Sequence, residues 1–196
     1  MSGLHVPDNP YTWLAEWLPS NMSPERPTMT VATIGSDGLP DARTLLLSEY
    51  DVDGFYFHCD LLSRKVGQLT AHPGVALVLR FPEELRQLTI QGLAEVAPSA
   101  EIRRAYKARS PYLQQLAWQN THDFARRPLA ERLTAWADFA ADHPEGFSPP
   151  ATWTGYLVRP VRLTFWSGHP DTASRRIEYT REATTDPTWA VNFLAG

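Results

Sequence analysis

The chain of 196 residues is 43% hydrophobic and 11% aromatic, so it can bury one sizeable core within a single domain. Its formal net charge is −4 and its basic residues form pairs but no longer runs, which argues against nucleic acid as a partner. The single cysteine, Cys59, excludes an internal disulfide, and without an apolar run of roughly 18 residues or a basic-then-apolar leader we expect a cytoplasmic protein with no membrane partner.

The N-terminal part of the chain predicts an arm followed by a β-hairpin. Residues 1–27 contain five prolines and one short helical stretch near Trp13 and Trp17. Beyond this arm, an alternating run from Met29 to Gly35, a Ser-Asp-Gly turn and a second run from Ala42 to Ser48 have the spacing of two paired strands.

A strand, a helix and two more strands follow the predicted hairpin. A turn ending at Gly54 leads into the strand Phe55–Cys59, and the next pattern is helical from Ser63 to Ala71. Two further β runs, Val75–Phe81 and Leu85–Ala97, flank a turn at a proline.

The second half of the sequence predicts a helical insert and a return to strands. The insert covers about 99–145 and begins with Ser99 as its predicted N-cap, and apolar residues recur along it at helical spacing. Strands are then predicted at Trp153–Trp166, Arg176–Glu182 and Trp189–Phe193. This order predicts an α+β fold, mainly β, in which residues 28–196 form one domain whose antiparallel sheet curls into a barrel and hides its edges.

Three consecutive polar residues mark a candidate phosphate site. Ser63, Arg64 and Lys65 stand where a predicted strand ends and a predicted helix begins. Serine is a good N-cap, the free N–H groups of a helix start attract anions, and adjacent cations add Coulombic attraction. The same triplet is also typical of an ordinary solvated helix start, so the neighbouring sequence has to decide between the two interpretations.

Several other chemistries lack their signatures. The glycines at positions 35 and 38 do not have the spacing of a nucleophile elbow, and neither the dinucleotide nor the P-loop glycine pattern occurs. The six histidines show no pairing at metal-ligand spacing, so we expect no metal site.

Five short motifs, spread over most of the chain, carry a family resemblance. They are Arg43-Thr44-Leu45-Leu46-Leu47, Ser63-Arg64-Lys65, Arg86-Gln87, Phe165-Trp166 with Gly168, and Arg176-Ile177-Glu178-Tyr179. In order and spacing they resemble the pyridoxamine 5'-phosphate oxidase family, from about Thr28 to Phe193. The resemblance implies a split β-barrel homodimer that binds flavin mononucleotide (FMN) at its interface, with both subunits touching the cofactor.

The resemblance also implies which residues bind the cofactor. Arg43, Arg64 and Lys65 would clamp the phosphate, whose charge is close to −2, and Ser63 would cap the helix beside it. Gln87 would hydrogen-bond the flavin ring, which Trp166 and Arg176 would contact from the last strands. The full predicted cofactor set is Arg43, Thr44, Leu45, Leu46, Ser48, His58, Cys59, Ser63, Arg64, Lys65, Gln87, Trp166 and Arg176. Ordinary core packing of Trp166 and simple exposure of Arg176 remain alternatives.

The sequence departs from the family pattern mainly where the substrate would bind. Ser48 stands where the family usually has a lysine, and Thr172 and Ser174 replace an Arg-x-His pair. In the insert, Tyr106, Arg109 and Ser110 resemble the family's clamp for the substrate phosphate, but the register is shifted by one residue. A charged contact to phosphate contributes roughly 1.5 to 3 kcal/mol, so losing two or three would weaken binding of a phosphorylated substrate by orders of magnitude.

The leading hypothesis is therefore an FMN-dependent oxidoreductase that transfers a hydride from a small substrate to the flavin, with pyridoxamine or pyridoxine 5'-phosphate as the first substrates to test. Three alternatives remain open. One is a flavin enzyme acting on another heteroaromatic compound, as relatives in phenazine pathways do. Another is a split-barrel protein that binds flavin or haem without turnover. The third is a degenerate homologue that retains only the fold, which flavin affinity would distinguish from the others.

Overall fold

The computed structural model describes residues 6–196, which form six helices and nine strands. The helices are α1 (Pro10–Trp17), α2 (Arg64–Ala71), α3 (Ser99–Lys107), α4 (Pro111–Gln119), α5 (His122–Arg126) and α6 (Leu129–Ala141). The strands are β1 (Thr28–Ile34), β2 (Pro40–Leu46), β3 (Glu49–Tyr50), β4 (Phe55–Asp60), β5 (Gly74–Phe81), β6 (Arg86–Val96), β7 (Trp153–Ser167), β8 (Arg175–Thr180) and β9 (Ala190–Ala195).

All nine strands belong to one curled antiparallel sheet. Its order is β2-β1-β5-β6-β7-β4-β3, and β8 and β9 continue from the later part of β7. The mainly β fold of the split-barrel type is thereby confirmed, as are the predicted first hairpin and the strands that follow it. The two-residue strand β3 was not predicted, because so short a run carries no period of its own.

Two compact units can be distinguished in the described chain. The first contains the described residues up to Phe57, together with Arg64–Val96 and Tyr156–Gly196, and it holds most of the sheet. The second contains His58–Ser63 and Ala97–Gly155, and it holds helices α3 to α6. The predicted division into an arm, 1–27, and a domain, 28–196, stays a prediction.

The sheet of the first unit has two chemically different faces. Side chains alternate between faces along each strand, and paired residues on neighbouring strands share a face. One face is the core, where Val31, Leu77, Ile90, Leu163 and Tyr179 follow one another across five strands and are all buried. The opposite face, here called the outer face, carries small and polar residues, as the row Thr30, Val78, Thr89, Thr164 and Glu178 illustrates.

A bulge bends the two longest strands. Gln91 pairs with Arg162 and Gly92 with Pro160, so Val161 is an extra residue in β7. A Cβ on Gly92 would collide with the carbonyl group of Arg159, so the close approach of the two backbones requires glycine at this position.

Helix α1 packs an aromatic cluster onto the core face of the first unit. The ring of Phe165 lies edge-on to Trp13, Trp17 and Tyr179, with centroid distances of 5.3, 5.1 and 5.7 Å. The hydroxyl group of Tyr179 donates to the carbonyl oxygen of Pro7 at 2.8 Å, and burial raises the pKa of this phenol to about 12. The start of the described chain is thus held to the sheet.

The helices of the second unit differ from the prediction at the start of α3. Ser99 is the first residue of α3 and not its N-cap, since Pro98 holds that position without a side-chain hydrogen bond. Leu129 and Leu133, two of the apolar residues at helical spacing in α6, are 62% and 64% exposed. In residues 6–196, no helix combines the length and the apolar character needed to span a membrane.

Candidate functional site

A hydrogen-bonded cluster around Arg43 joins the first hairpin to α2. One terminal nitrogen of the guanidinium donates to the Thr33 hydroxyl at 2.6 Å and to the Val31 carbonyl at 3.2 Å. The other donates to the Gln68 amide oxygen at 2.9 Å and forms an ion pair with Asp41 at 2.7 Å. Arg43 therefore has internal partners for both terminal nitrogens.

The carboxylate of Asp41 is the anion within this cluster. Besides Arg43, its Oδ2 atom accepts a hydrogen bond from the Gln68 amide at 3.1 Å and lies 3.5 Å from a guanidinium nitrogen of Arg64. The hydrogen bond from Gln68, followed by the charges of Arg43 and Arg64, lowers the pKa of Asp41 against the opposing effect of desolvation. We call Arg43, Asp41, Gln68, Thr33 and Arg64 the Arg43 cluster.

The Arg43 cluster forms one wall of an open cleft of about 690 Å³ between the β1–β2 turn and α2. Asp41, Arg64 and Gln68 line this wall, and Gly35, Asp37 and Gly67 are among the other lining residues. The side chain of Arg64 is 81% exposed, whereas that of Arg43 is 20% exposed. Arg64 is thus the arginine of the cluster that an incoming anion can reach directly.

Ser63 and Lys65, the sequence neighbours of Arg64, are both less exposed than Arg64. Ser63 directly precedes α2, but its buried hydroxyl oxygen has no hydrogen-bond partner in the described chain, so the expected cap hydrogen bond is not formed. Lys65 lies half-buried in the first turn of α2 and has an interaction of its own. The Ser63 hydroxyl is therefore a buried polar group whose hydrogen bond is not satisfied within the described chain.

Three predicted cofactor residues form a row on the outer face of the sheet. Gln87 pairs with Trp166, and Trp166 pairs with Arg176, so their side chains share one face across β6, β7 and β8. Gln87 and Trp166 are half-buried, and Arg176 is exposed with one terminal nitrogen bonded to the Ala195 carbonyl. This arrangement combines an amide, an indole and a guanidinium, and we call it the Gln87 row.

The remaining predicted residues of β2 are divided between the two faces. Thr44 pairs with Thr30 on the outer face, as Leu46 does with Thr28, whereas Leu45 lies beside Met29 on the core face. Ser48 follows the strand, and its backbone N–H donates to the Tyr56 carbonyl at 2.9 Å.

His58 and Cys59 are buried in the second unit near Trp153. The His58 ring stacks on the Trp153 indole at 5.3 Å with an interplanar angle of 7°. Gly155 permits this stack, because a Cβ at that position would lie 2.5 Å from the His58 ring. Cys59 is 8% exposed.

Tyr106, Arg109 and Ser110, the predicted substrate clamp, are engaged inside the second unit. The hydroxyl of Tyr106 donates to the Ser148 carbonyl at 2.9 Å and also lies 3.1 Å from that of Gln114. Arg109 lies over the Trp153 ring at 4.6 Å, and Ser110 is the N-cap of α4.

The bonding of Arg109 leaves part of its guanidinium available. Its Nε donates to the Leu113 carbonyl at 3.2 Å, and burial lowers the pKa of the group. No carboxylate among the described residues forms an ion pair with it. Thr172 and Ser174 lie in the loop between β7 and β8, where Thr172 is exposed and Ser174 is half-buried.

Sequence reasoning missed four residues that organise these sites: Thr33, Asp41 and Gln68 in the first unit and Trp153 in the second. In the first unit, Gln68 lies 25 positions from its partner Arg43 and 35 positions from its partner Thr33. Thr33 and Arg43 are 10 positions apart on the two strands of the hairpin. The one available signal was Gln68, which lies one helical turn after Arg64 and so on the same face of α2.

The half-barrel sheet, the charged cluster at its first hairpin and the polar row on its outer face define a protein of the split β-barrel class. Two family models match the chain: "Pyridoxamine 5'-phosphate oxidase" over residues 20–140 and "Pyridoxine 5'-phosphate oxidase C-terminal dimerisation region" over residues 153–196. The chain belongs to the pyridoxamine 5'-phosphate oxidase family.

Curated relatives support this membership over most of their length. A pyridoxine/pyridoxamine 5'-phosphate oxidase of Rhodopseudomonas palustris is 35% identical over 187 residues, covering 92% of this chain and 87% of the relative. One from Azorhizobium caulinodans is 38% identical over 183 residues, covering 89% of this chain and 84% of the relative.

Solved structures show the same fold at lower identity. The structure of PhzG from Burkholderia lata in complex with tetrahydrophenazine-1-carboxylic acid has a TM-score of 0.81 at 24% identity and covers 97% of this chain and 94% of that one. A pyridoxamine 5'-phosphate oxidase-related, FMN-binding protein from Nostoc punctiforme has a TM-score of 0.72 at 18% identity, covering 99% and 100%.

Proposed function

We propose that this protein is an FMN-dependent oxidoreductase acting on a small substrate. The observation that carries the proposal is the pair of sites in the first unit, a cationic cluster with an exposed arginine and an amide-indole-guanidinium row, in a chain of the pyridoxamine 5'-phosphate oxidase family.

The residues present fit a flavin with a phosphate group. Arg64 is exposed and lies 3.5 Å from Asp41, so it can bond an anion without first losing a strong internal partner. Arg43 would hold the cluster together, because both of its terminal nitrogens already have partners within it. Gln87 would donate to the polar edge of the ring, Trp166 would cover its apolar part, and Arg176 would favour an electron-rich ring. Bound FMN would supply the two-electron acceptor.

We further propose that one flavin would use the Arg43 cluster of one subunit and the Gln87 row of its partner. Arg43 lies on the core face of the edge strand β2, whereas the Gln87 row lies on the outer face of strands β6 to β8. Strands β2 and β6 are three strand spacings apart, roughly 14 Å along a flat sheet. The dimerisation region matched by residues 153–196 includes two of the three row residues, which supports a homodimer with shared sites.

Oxidation of pyridoxamine or pyridoxine 5'-phosphate to the aldehyde is the first activity to test. The curated relatives are named pyridoxine/pyridoxamine 5'-phosphate oxidase, and the chain aligns with most of their length.

A second candidate activity is the oxidation of an unphosphorylated heteroaromatic acid, which is favoured by the internal bonding of the predicted substrate clamp. Tyr106 is 1% exposed with its hydroxyl bonded internally, so it is poorly placed to bind a substrate phosphate. The ligand named for the PhzG structure is of this second kind.

The first experiment measures flavin loading and reduction. We expect the purified protein to retain FMN after desalting and to show bleaching of the flavin absorbance when a true substrate is added without oxygen. Pyridoxine 5'-phosphate, pyridoxamine 5'-phosphate and a dihydrophenazine carboxylic acid would be compared at equal concentration. A protein that stays colourless after soaking in FMN contradicts the proposal, and loading without bleaching by any of the three leaves only the binding function.

The sharing of sites between subunits can be tested by complementation. Arg64→Ala and Trp166→Ala are expected to weaken flavin binding as homodimers. Mixed dimers, purified through two different tags, would contain one fully native site if the two residues come from different chains, and would bind about one flavin per dimer. Differently tagged Arg64→Ala pairs are the control. If both residues of a site came from one chain, every site in the mixed dimer would remain defective and no binding would return.

A further inference from the structure

We propose that Asp41 is an internal competing anion, which occupies the arginines of the Arg43 cluster in the free protein and thereby limits the affinity for the cofactor phosphate. This inference rests on the proposed FMN-binding function. It assigns to Asp41 a role that opposes binding, in contrast to the roles of the cations around it.

The contacts of Asp41 resemble those of a bound anion. Its Oδ2 atom lies within hydrogen-bonding or ion-pair distance of Arg43, Gln68 and Arg64, at 2.7, 3.1 and 3.5 Å. These are the donor types that a phosphate oxygen takes in proteins, two guanidinium groups and an amide. A phosphate approaching Arg64 therefore meets donors whose first partner is already a carboxylate.

The location of Asp41 keeps its charge close to the approaching ligand. Its side chain is 30% exposed and lines the same cleft as Arg64. Asp41 therefore remains beside Arg64 whether or not their contact is made. With two guanidinium groups and one carboxylate the cluster carries a net charge of 2 − 1 = +1. Without the carboxylate it would carry +2 against a phosphate whose charge is close to −2.

The contact that must break is the weakest of the three. Arg64 is separated from Asp41 by 3.5 Å and is 81% exposed, so its side chain can turn to a phosphate at small cost. Arg43 and Gln68 can stay in contact with Asp41, because both are also bonded to the Thr33 hydroxyl. Arg43 donates to this hydroxyl, and the Gln68 amide oxygen accepts from it. Removal of the carboxylate charge would thus free Arg64 and leave the rest of the cluster connected.

The test compares FMN with riboflavin, which has the same ring system but no phosphate. We expect Asp41→Asn to bind FMN about three- to tenfold more tightly than the wild type and riboflavin with unchanged affinity, because the removed repulsion acts only on the phosphate. The gain should shrink as salt is raised from about 0.05 to about 0.5 M, since ions screen an exposed charge. Asp37→Asn is the matched control: it removes a carboxylate lining the same cleft that forms no ion pair with Arg43 or Arg64.

Each possible result of the Asp41→Asn experiment either supports or overturns the inference. Weaker or equal FMN binding by Asp41→Asn overturns the inference and makes Asp41 a residue that positions the arginines. An equal gain for riboflavin overturns it as well, because the effect would then not involve the phosphate. Asp41→Ser is made in parallel, and loss of folding in both variants would show that Asp41 is a structural requirement instead. Failure of the proposed function has a different signature, in which the wild type itself binds neither flavin.

Discussion

Arg64→Ala is expected to lower the affinity for FMN by about 1 to 3 kcal/mol, roughly 5- to 150-fold, through loss of a charged hydrogen bond to the phosphate. Arg64 is the exposed member of the Arg43 cluster, so its removal leaves the bonds of Arg43 to Thr33 and Gln68 in place. The fold should therefore be retained, and the thermal midpoint of the flavin-free protein should change little. Fluorescence titration with FMN measures the affinity.

Two comparisons show whether the effect is specific. Riboflavin should bind Arg64→Ala as well as it binds the wild type, because it has no phosphate to lose a contact. Arg103→Ala removes another exposed arginine, on α3 in the second unit, and should leave FMN affinity unchanged. Unaltered FMN binding by Arg64→Ala would remove this residue from the site.

Phe165→Ala is expected to cost about 3 to 5 kcal/mol of unfolding free energy, the largest effect on stability that we predict. The ring is 1% exposed and contacts Trp13, Trp17 and Tyr179. Its removal would leave a cavity between α1 and the sheet and would also lose the edge-on aromatic contacts. Chemical denaturation followed by far-ultraviolet circular dichroism gives the free energy.

A truncation at the surface is the appropriate comparison for Phe165→Ala. Met22 lies in the same unit and is 90% exposed, so Met22→Ala should change the unfolding free energy by no more than about 0.5 kcal/mol. A loss below about 1 kcal/mol for Phe165→Ala would mean that α1 contributes little to holding the sheet together.

Local patterns predicted the strands well and the side-chain partners poorly. The hairpin of β1 and β2 follows from alternation and a turn, and both are visible within twenty residues of sequence. The hydrogen bond between Thr33 and Gln68 joins a strand to a helix 35 positions away, and no period in the sequence encodes it. The exposed leucines of α6 show a related limit, since helical spacing identifies a face but not whether anything covers it.

The candidate site shows the same contrast between short local motifs, which are visible in the sequence, and contacts between distant residues, which are not. Arg43, Arg64 and the Gln87 row could be proposed from the sequence because each belongs to a short motif in a recognisable order. Asp41 was not found, because an aspartate two residues before an arginine on a strand has no meaning until the pairing of β1 and β2 and the position of α2 are known. The His58 and Trp153 stack depends on residues 95 positions apart for the same reason (153 − 58 = 95).

The bond between Tyr179 and Pro7 has a practical consequence for protein production. Trimming the gene so that translation starts at α1 would delete the acceptor of a phenol that is otherwise sealed from water. Shortened versions should consequently melt at a lower temperature even though no helix or strand of residues 6–196 is removed. An affinity tag is better attached ahead of the intact N-terminal residues through a flexible spacer than put in their place.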